Sequence, residues 1–314
     1  MDEADGKFYT VIEDRGLLSV TGPDARGFLQ GLVSNDVDKV NPGRAIYAAM
    51  LTPQGKFLHD FFIAELSSAL IIDCEGERLD DLRQRLGHYK LRAQVEIADI
   101  TEQFAVVALL GAGPQDAESL HGQEGRGGPF DVGICFVDPR YAGIGARAIL
   151  PRHRVAEVFK HAGFAEAPIQ DYDRLRLGYG LPDGSHDMVV EKALLLESGF
   201  DELNGIDWDK GCYVGQELTA RLHYRGLAKK RLVPVTVVGP LPEAGTPVMF
   251  DGKQSGEMRS GRDGLGLAVL RLEMVAKAAE LDTPFTAEGT KLTPFYPAWM
   301  GDLNAAGDTE AGPS

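Results

Sequence analysis

The sequence passes twice through the same order of elements, and that repetition limits what the chain can fold into. Gly16–Val20 is a short β-like run. Thr21-Gly-Pro-Asp then opens a helix predicted to run to about Leu32, with Thr21 as cap and Pro23 in the first turn. Ala45–Leu51 and Phe57–Leu66 are apolar enough for buried strands, and the Thr52-Pro-Gln-Gly turn between them makes a hairpin. Leu70–Cys74 adds a strand, and Arg78–Leu86 a helix with apolar residues at 79, 82 and 86. The order then recurs: strand Phe104–Leu110, helix Pro114–Leu120, strands Val132–Val137 and Gly145–Leu150, helix His153–Ala162. Two such passes predict two ferredoxin-like halves, about 7–100 and 101–230, packed as one α+β unit.

From Leu232 the texture changes to short β-like segments (VPVTVV, TPVMF, LGLAVLRL) separated by Gly and Pro. That pattern predicts a small β-barrel or sandwich over 231–300. Gly122–Gly128 reads as a surface loop, and 301–314, polar and rich in Gly and Ala, as a disordered tail.

Charge narrows the function. Lys and Arg number 32 against 47 Asp and Glu, a formal net charge of −15. An acidic chain of this kind is a poor general binder of nucleic-acid backbone. Three cysteines, Cys74, Cys135 and Cys212, cannot staple a chain of 314 residues, which points to reduced thiols in a cytosol-like compartment. The acidic start and the lack of a ~20-residue apolar run leave no secretory signal, transit peptide or membrane span to read in the chain as given. The expectation is a soluble, cytoplasmic protein, monomeric alone.

Against that acidic background, Lys210 to Gly226 is unusual. Gly211 and Gly215 bracket Cys212, and Lys210 stands two residues before it, where a cation favours thiolate. Arg221, Arg225, Lys229, Lys230 and Arg231 then place five cations in eleven residues with no acid among them, a natural anion site. Each signal alone has a plainer meaning. A lone cysteine is more often an inert core residue, and a short basic run a solvated face. Their overlap in one segment makes a candidate site. His121, His153 and His161 show no metal-ligand spacing, and Gly143-Ile-Gly lacks the third glycine of a dinucleotide fingerprint.

KGCYVGQE, followed by Arg221, Arg225 and Gly226, resembles the signature of the YgfZ family of folate-binding, iron–sulfur cluster assembly proteins. The wider run, from Leu194-Leu-Leu-Glu-Ser-Gly-Phe through Leu203-Asn-Gly-Ile-Asp-Trp to Lys229-Lys-Arg-Leu, is similar to the branch containing the mitochondrial iron–sulfur assembly factor. Ser19-Val-Thr-Gly-Pro-Asp-Ala, Gln30-Gly-Leu-Val-Ser-Asn-Asp and Leu51-Thr-Pro-Gln-Gly-Lys fit the family's opening segments, so the likeness covers most of the chain.

The resemblance implies the fold of the glycine-cleavage aminomethyltransferase (GcvT): α+β lobes around a folate channel, closed by a C-terminal β-barrel. It implies that Cys212 is the functional thiol, holding a 2Fe–2S cluster together with an A-type carrier protein and supporting 4Fe–4S client enzymes. Such a cluster takes four ligands, and one motif cysteine makes the cluster shared. Tetrahydrofolate or a related folate is the implied cofactor. The motif residues Lys210, Gly211, Tyr213, Gly215, Gln216 and Glu217 frame the site, and Arg221 and Arg225 suit the glutamate tail. The matrix replaces the cytoplasm as location if the source is eukaryotic. Two alternatives stay open. One is a folate-dependent aminomethyltransferase, with Asp60 as its base; the other is a folate-binding module without cluster chemistry. Against the transferase, His59-Asp60 stands where those enzymes carry adjacent aspartates, and Gly178 where they carry a pterin-gripping glutamate.

Overall fold

The computed structural model describes residues 7–110 and 123–301. The predicted helix at 114–120, His121 and the tail from 302 lie outside the described residues. The chain divides into two compact units, one running to Tyr172 and taking in Leu203–Gln216, the other holding Asp173–Glu202 and everything from Glu217.

The first unit contains both halves of the predicted repeat. It enters through β1 (Phe8–Val11), and the first half follows as β2 (Arg15–Thr21), α1 (Ala25–Gln30), β3 (Ile46–Leu51), β4 (Phe57–Leu66), β5 (Ala69–Glu75), α2 (Leu79–Lys90) and β6 (Glu96–Asp99). The second half supplies β7 (Phe104–Leu110), β8 (Gly127–Phe130), β9 (Gly133–Val137), β10 (Ala146–Pro151), α3 (Val155–His161) and β11 (Ala165–Glu166). One sheet has the order β3-β4-β5-β2-β6, the other β8-β9-β10-β7-β1-β11. The orders correspond strand for strand except that β1 is inserted between β7 and β11. It runs antiparallel to β7 and parallel to β11.

The strands are buried because their sequences are nearly continuous apolar runs: every residue of β3 and the first eight of β4 are inside. Helix α2 covers its sheet with Leu79, Leu82 and Leu86, the predicted stripe. Under the second sheet, Tyr9 stacks on Phe159 of α3 at 4.5 Å between ring centroids.

Two local readings need correction. The helix expected from Thr21 starts only at Ala25, because Asp24 turns its carboxylate to the Gln94 amide at 2.7 Å instead of capping the helix. Part of the expected loop 122–128 is strand: Gly127–Phe130 pairs with β9 as a hairpin.

The second unit holds most of α4 (Ile169–Gly178), α5 (Gly184–Asp187), most of α6 (Gln216–Arg225) and the C-terminal β-domain. In that domain β12 (Lys230–Val238), β13 (Pro247–Phe250), β14 (Lys253–Arg262), β15 (Leu265–Arg271), α7 (Leu272–Glu280), β16 (Phe285–Ala287) and β17 (Thr290–Pro294) follow in order. The strands close as a barrel, β12-β15-β14-β13-β16-β17, which decides between barrel and sandwich. Val233, Val235, Val248, Phe250, Phe285 and Leu292 fill it, and α7 adds Val275 and Ala278 to the same core. Arg176 of α4 donates to Asp187 of α5 at 3.1 Å, and the Ser260 hydroxyl of β14 donates to the same carboxylate at 2.6 Å.

Candidate functional site

Two distant segments of the first unit fold as one. The Ser34 hydroxyl donates to the Gly205 carbonyl at 2.6 Å, across 171 positions, and accepts the Ala49 N–H at 2.8 Å. Asn35 Nδ2 donates to the carbonyls of Tyr47 and Asn204, each at 2.7 Å. The Asp207 amide donates to Ser34 O at 3.0 Å, and the Val214 amide to Gly31 O at 3.1 Å. Gln30 ties the other side of the loop, donating to Asp36 and accepting the Val37 amide. Residues 30–36 and 203–214, both singled out in the sequence, are thus one hydrogen-bonded platform.

Asp207 organises the turn into the motif. Its carboxylate accepts the amides of Asp209 (2.9 Å) and Lys210 (3.1 Å) and pairs with the Lys39 ammonium. Burial alone would raise its pKa, but the Lys39 and backbone hydrogen bonds prevail and hold it below the usual carboxylate value. Lys210 then turns inward. Its Nζ donates to the carbonyls of Gln30 (2.9 Å), Val33 (2.6 Å) and Asn35 (2.8 Å), and it sits 5.1 Å from the Tyr213 ring centroid. All three ammonium donors are taken. Burial lowers the pKa to about 8 despite Asp36, Asp207 and Asp38 nearby. Lys210, read from sequence as a cation for the thiol or for an anion, is a clamp on the platform.

The rest of the motif is equally constrained. Tyr213 is buried, and its amide is accepted by Gln216 Oε1 at 3.0 Å, half of a capping box at the start of α6. Gly215 has φ +84°, and a Cβ there would lie 2.4 Å from the Thr52 carbonyl oxygen and 2.8 Å from Leu51 Cβ. The Thr52–Gly55 turn of the first hairpin thereby abuts the motif, making it the third sequence-identified segment at this place. Glu217 is exposed in the first turn of α6, where a carboxylate complements the helix dipole.

Between these fixed residues stands an exposed thiol. Cys212 and Gly211 are solvent-accessible, and space around Gly211 is open. Cys74 and Cys135 are buried, and burial pushes each up to about 12, which leaves them inert. Among the described residues, no group of three or more His, Cys, Asp or Glu is placed to hold a metal ion.

The basic run separates into two kinds of residue within the second unit. Arg231 is buried, with ion-pair contact to Glu202 at 2.8 Å and a hydrogen bond to Leu196 O. Arg221 and Arg225 on α6, with Lys229 and Lys230, are exposed.

Asp60 is not a free base. It is buried in β4 and accepts the Tyr47 hydroxyl at 2.7 Å. That phenol is held above its usual range, first by burial and then by the carboxylate. His59, its neighbour, bonds Asp81 at 2.7 Å, and burial with Arg78 beside it lowers its pKa to about 4, so the ring is neutral. Gly178 ends α4 without a side chain to grip anything.

Sequence reading missed the polar network beneath. Asp73 of β5 accepts Arg15 at 2.6 Å and Arg147 at 2.7 Å, so a carboxylate of one sheet holds a guanidinium of the other. Arg147 and Arg140 both contact Asp138 and both donate to the Tyr172 hydroxyl. The Arg147 guanidinium lies 4.0 Å from the Phe62 ring centroid. The available signal was a charge inside an apolar strand, as in LIIDC and ARAIL.

A cleft of about 200 Å³ opens beside the platform, lined by Asn35, Lys39, Arg44, Tyr47, Glu124 and Asp207 among others. Lys39 and Asp207 satisfy each other, whereas neither Arg44 nor Glu124 has a side-chain partner among the described residues. A guanidinium without a side-chain partner can pair with a carboxylate of a ligand.

Comparison with known proteins agrees with this architecture. Residues 13–122 match the model of the GCVT N-terminal domain, and 229–302 that of the CAF17 C-terminal beta-barrel domain. The chain is 32% identical over 326 residues to the mitochondrial iron-sulfur cluster assembly factor IBA57 of Mus musculus, covering 94% of this chain and 87% of that protein. To the mitochondrial IBA57 of Homo sapiens it is 34% identical over 282 residues, covering 84% and 77%. Both relatives are named as mitochondrial. In fold the chain is similar to the glycine cleavage system aminomethyltransferase T of Bartonella henselae, with TM-score 0.74 and 16% identity over 94% of this chain and 86% of that one. Relatives above 30% identity over most of its length establish that this chain belongs to the IBA57 family of iron–sulfur cluster assembly factors.

Proposed function

We propose that the chain is an iron–sulfur cluster assembly factor in which Cys212 supplies one ligand to a 2Fe–2S cluster shared with an A-type carrier protein, on the way to 4Fe–4S client enzymes. One observation carries the reading: an exposed thiol stands on a loop whose neighbours on both sides are pinned, by Lys210 to three carbonyls and by Gly215 against the first hairpin. A preformed loop loses little freedom when its sulfur binds iron, which favours a transient, exchangeable bond. The thiol gives up its proton as the Fe–S bond forms. The remaining ligands of the cluster come, on this reading, from the carrier.

Folate belongs in the same proposal, at the cleft beside the platform. Arg44 is the cation for a glutamate carboxylate of the folate's tail. At about 200 Å³ the cleft takes one end of a folate, below the ~300 Å³ at which whole drug-sized ligands are enclosed. Transferase chemistry finds less support, since Asp60 is engaged by Tyr47 and position 178 has no carboxylate. The site of action is the mitochondrial matrix where the source has that organelle.

Anaerobic reconstitution of the chain mixed with an A-type carrier, read by visible circular dichroism, tests the reading. A 2Fe–2S signal on the mixture that disappears with Cys212→Ser supports it. The same signal with either protein removes Cys212 from the role.

A further inference from the structure

Helix α6, which begins four residues beyond Cys212 in the chain, carries an unusual surface on the second unit. Arg221 and Arg225, one helical turn apart, are exposed, as are Lys229 and Lys230 just beyond. None of the four has an acidic partner among the described residues. Elsewhere in this unit Arg176, Arg231, Arg259 and Arg262 each pair with a carboxylate. Lys230 even stands opposite Arg271 in the barrel ladder. Two large apolar side chains share the segment in the open: Tyr224 at 74% exposure and Leu227 at 42%.

Unpaired cations around an exposed tyrosine and leucine have the make-up of a protein interface, in which Arg and Tyr contribute most of the binding energy. In a chain of net charge −15, a long-range field does not attract a nucleic-acid or membrane surface, so the attraction must be local and its partner small in footprint. We infer that the Arg221–Lys230 segment is a docking surface for an acidic patch on the protein that completes the cluster at Cys212. The inference rests on the shared-cluster reading above. It also gives Arg221 and Arg225 a different task from holding a folate tail, which Arg44 can meet within the first unit. The basic segment steers and orients the partner; Cys212 makes the covalent link to iron. Docking therefore survives loss of the thiol, and cluster transfer does not survive loss of docking.

The test uses the full chain and an A-type carrier protein, with binding measured by biolayer interferometry at low and high salt. For Arg221→Glu/Arg225→Glu, affinity is expected to fall about tenfold or more and its salt dependence to flatten. Arg221→Lys/Arg225→Lys, which keeps the charge, retains most of the affinity, and Tyr224→Ala loses part of it. Melting temperature and the rate at which Cys212 reacts with an aromatic disulfide reagent stay as in the wild type, showing that fold and thiol are intact. If wild type shares a cluster with the carrier but the charge-reversed protein binds as tightly, the docking inference is wrong and the shared-cluster reading stands. If wild type neither binds the carrier nor shares a cluster, the reading itself fails and takes the inference with it. Charge-dependent binding to phosphatidylserine vesicles, with carrier binding unchanged by the double reversal, would reassign the surface to a membrane and overturn the inference.

Discussion

The Lys210 ammonium donates a 2.6 Å hydrogen bond to the Val33 carbonyl, 177 positions earlier in the chain. Replacing it with methionine keeps the stem but leaves three carbonyls without their donor. Each such group costs about 1–3 kcal/mol when water cannot reach it, and partial access here puts the loss for Lys210→Met near 3 kcal/mol. Urea unfolding reads the loss. Hydrogen exchange would show faster opening at 30–36 and 212–214, with the barrel unaffected.

Gly215→Ala and Gly211→Ala, four positions apart, differ sharply in expectation. At Gly215 a methyl meets the Thr52 carbonyl at 2.4 Å in a left-handed backbone, which costs about 2–3 kcal/mol. At Gly211 nothing lies within reach, and the same change is close to neutral. Parallel thermal melts of the two variants make the comparison.

His59 gives the fold an acid-sensitive window. Its folded pKa of about 4 lies below its unfolded 6.5, so the unfolded chain binds the extra proton between those values. Stability contributed by the neutral ring is full above pH 6.5 and is lost as pH falls toward 4, by about 3 kcal/mol over the window. Asp81, also lowered, adds a further loss in the same direction at lower pH. Denaturant midpoints measured across pH 4 to 7 should slope for the wild type and flatten over that range in His59→Gln.

Arg147→Met removes the shared member of the buried ion network in the first unit. Asp73 keeps Arg15 and Asp138 keeps Arg140, but the link between the two sheets is gone. With both carboxylates still paired, losing the Arg147 hydrogen bonds to Asp73, Asp138 and the Tyr172 hydroxyl costs about 1–3 kcal/mol. A guanidinium chloride titration should show a midpoint lowered accordingly, and a wild-type midpoint would deny the network any stabilising part.

The repeat was readable because its strands are long, apolar and bounded by turn residues. Phe57–Leu66 and Phe104–Leu110 fall where the pattern puts them. Strand β1 was not readable: Phe8–Val11 has four residues, too few for a period, and it owes its place to pairing with β7, about a hundred positions on. Cys212 stands out through its flanking glycines and cations, whereas nothing local reveals that three carbonyls from 30–35 accept from the Lys210 ammonium. The Arg15–Asp73–Arg147 network was invisible for the same reason, its members being brought together only by sheet packing.

The central claim is that Cys212 is a ligand to a cluster shared between two proteins. Native mass spectrometry of the anaerobically reconstituted mixture with an A-type carrier tests it most directly. The account predicts a complex of one copy of each protein carrying one 2Fe–2S cluster, absent when Cys212→Ser replaces the wild type. A cluster-bearing complex of the same mass and abundance with Cys212→Ser would contradict it.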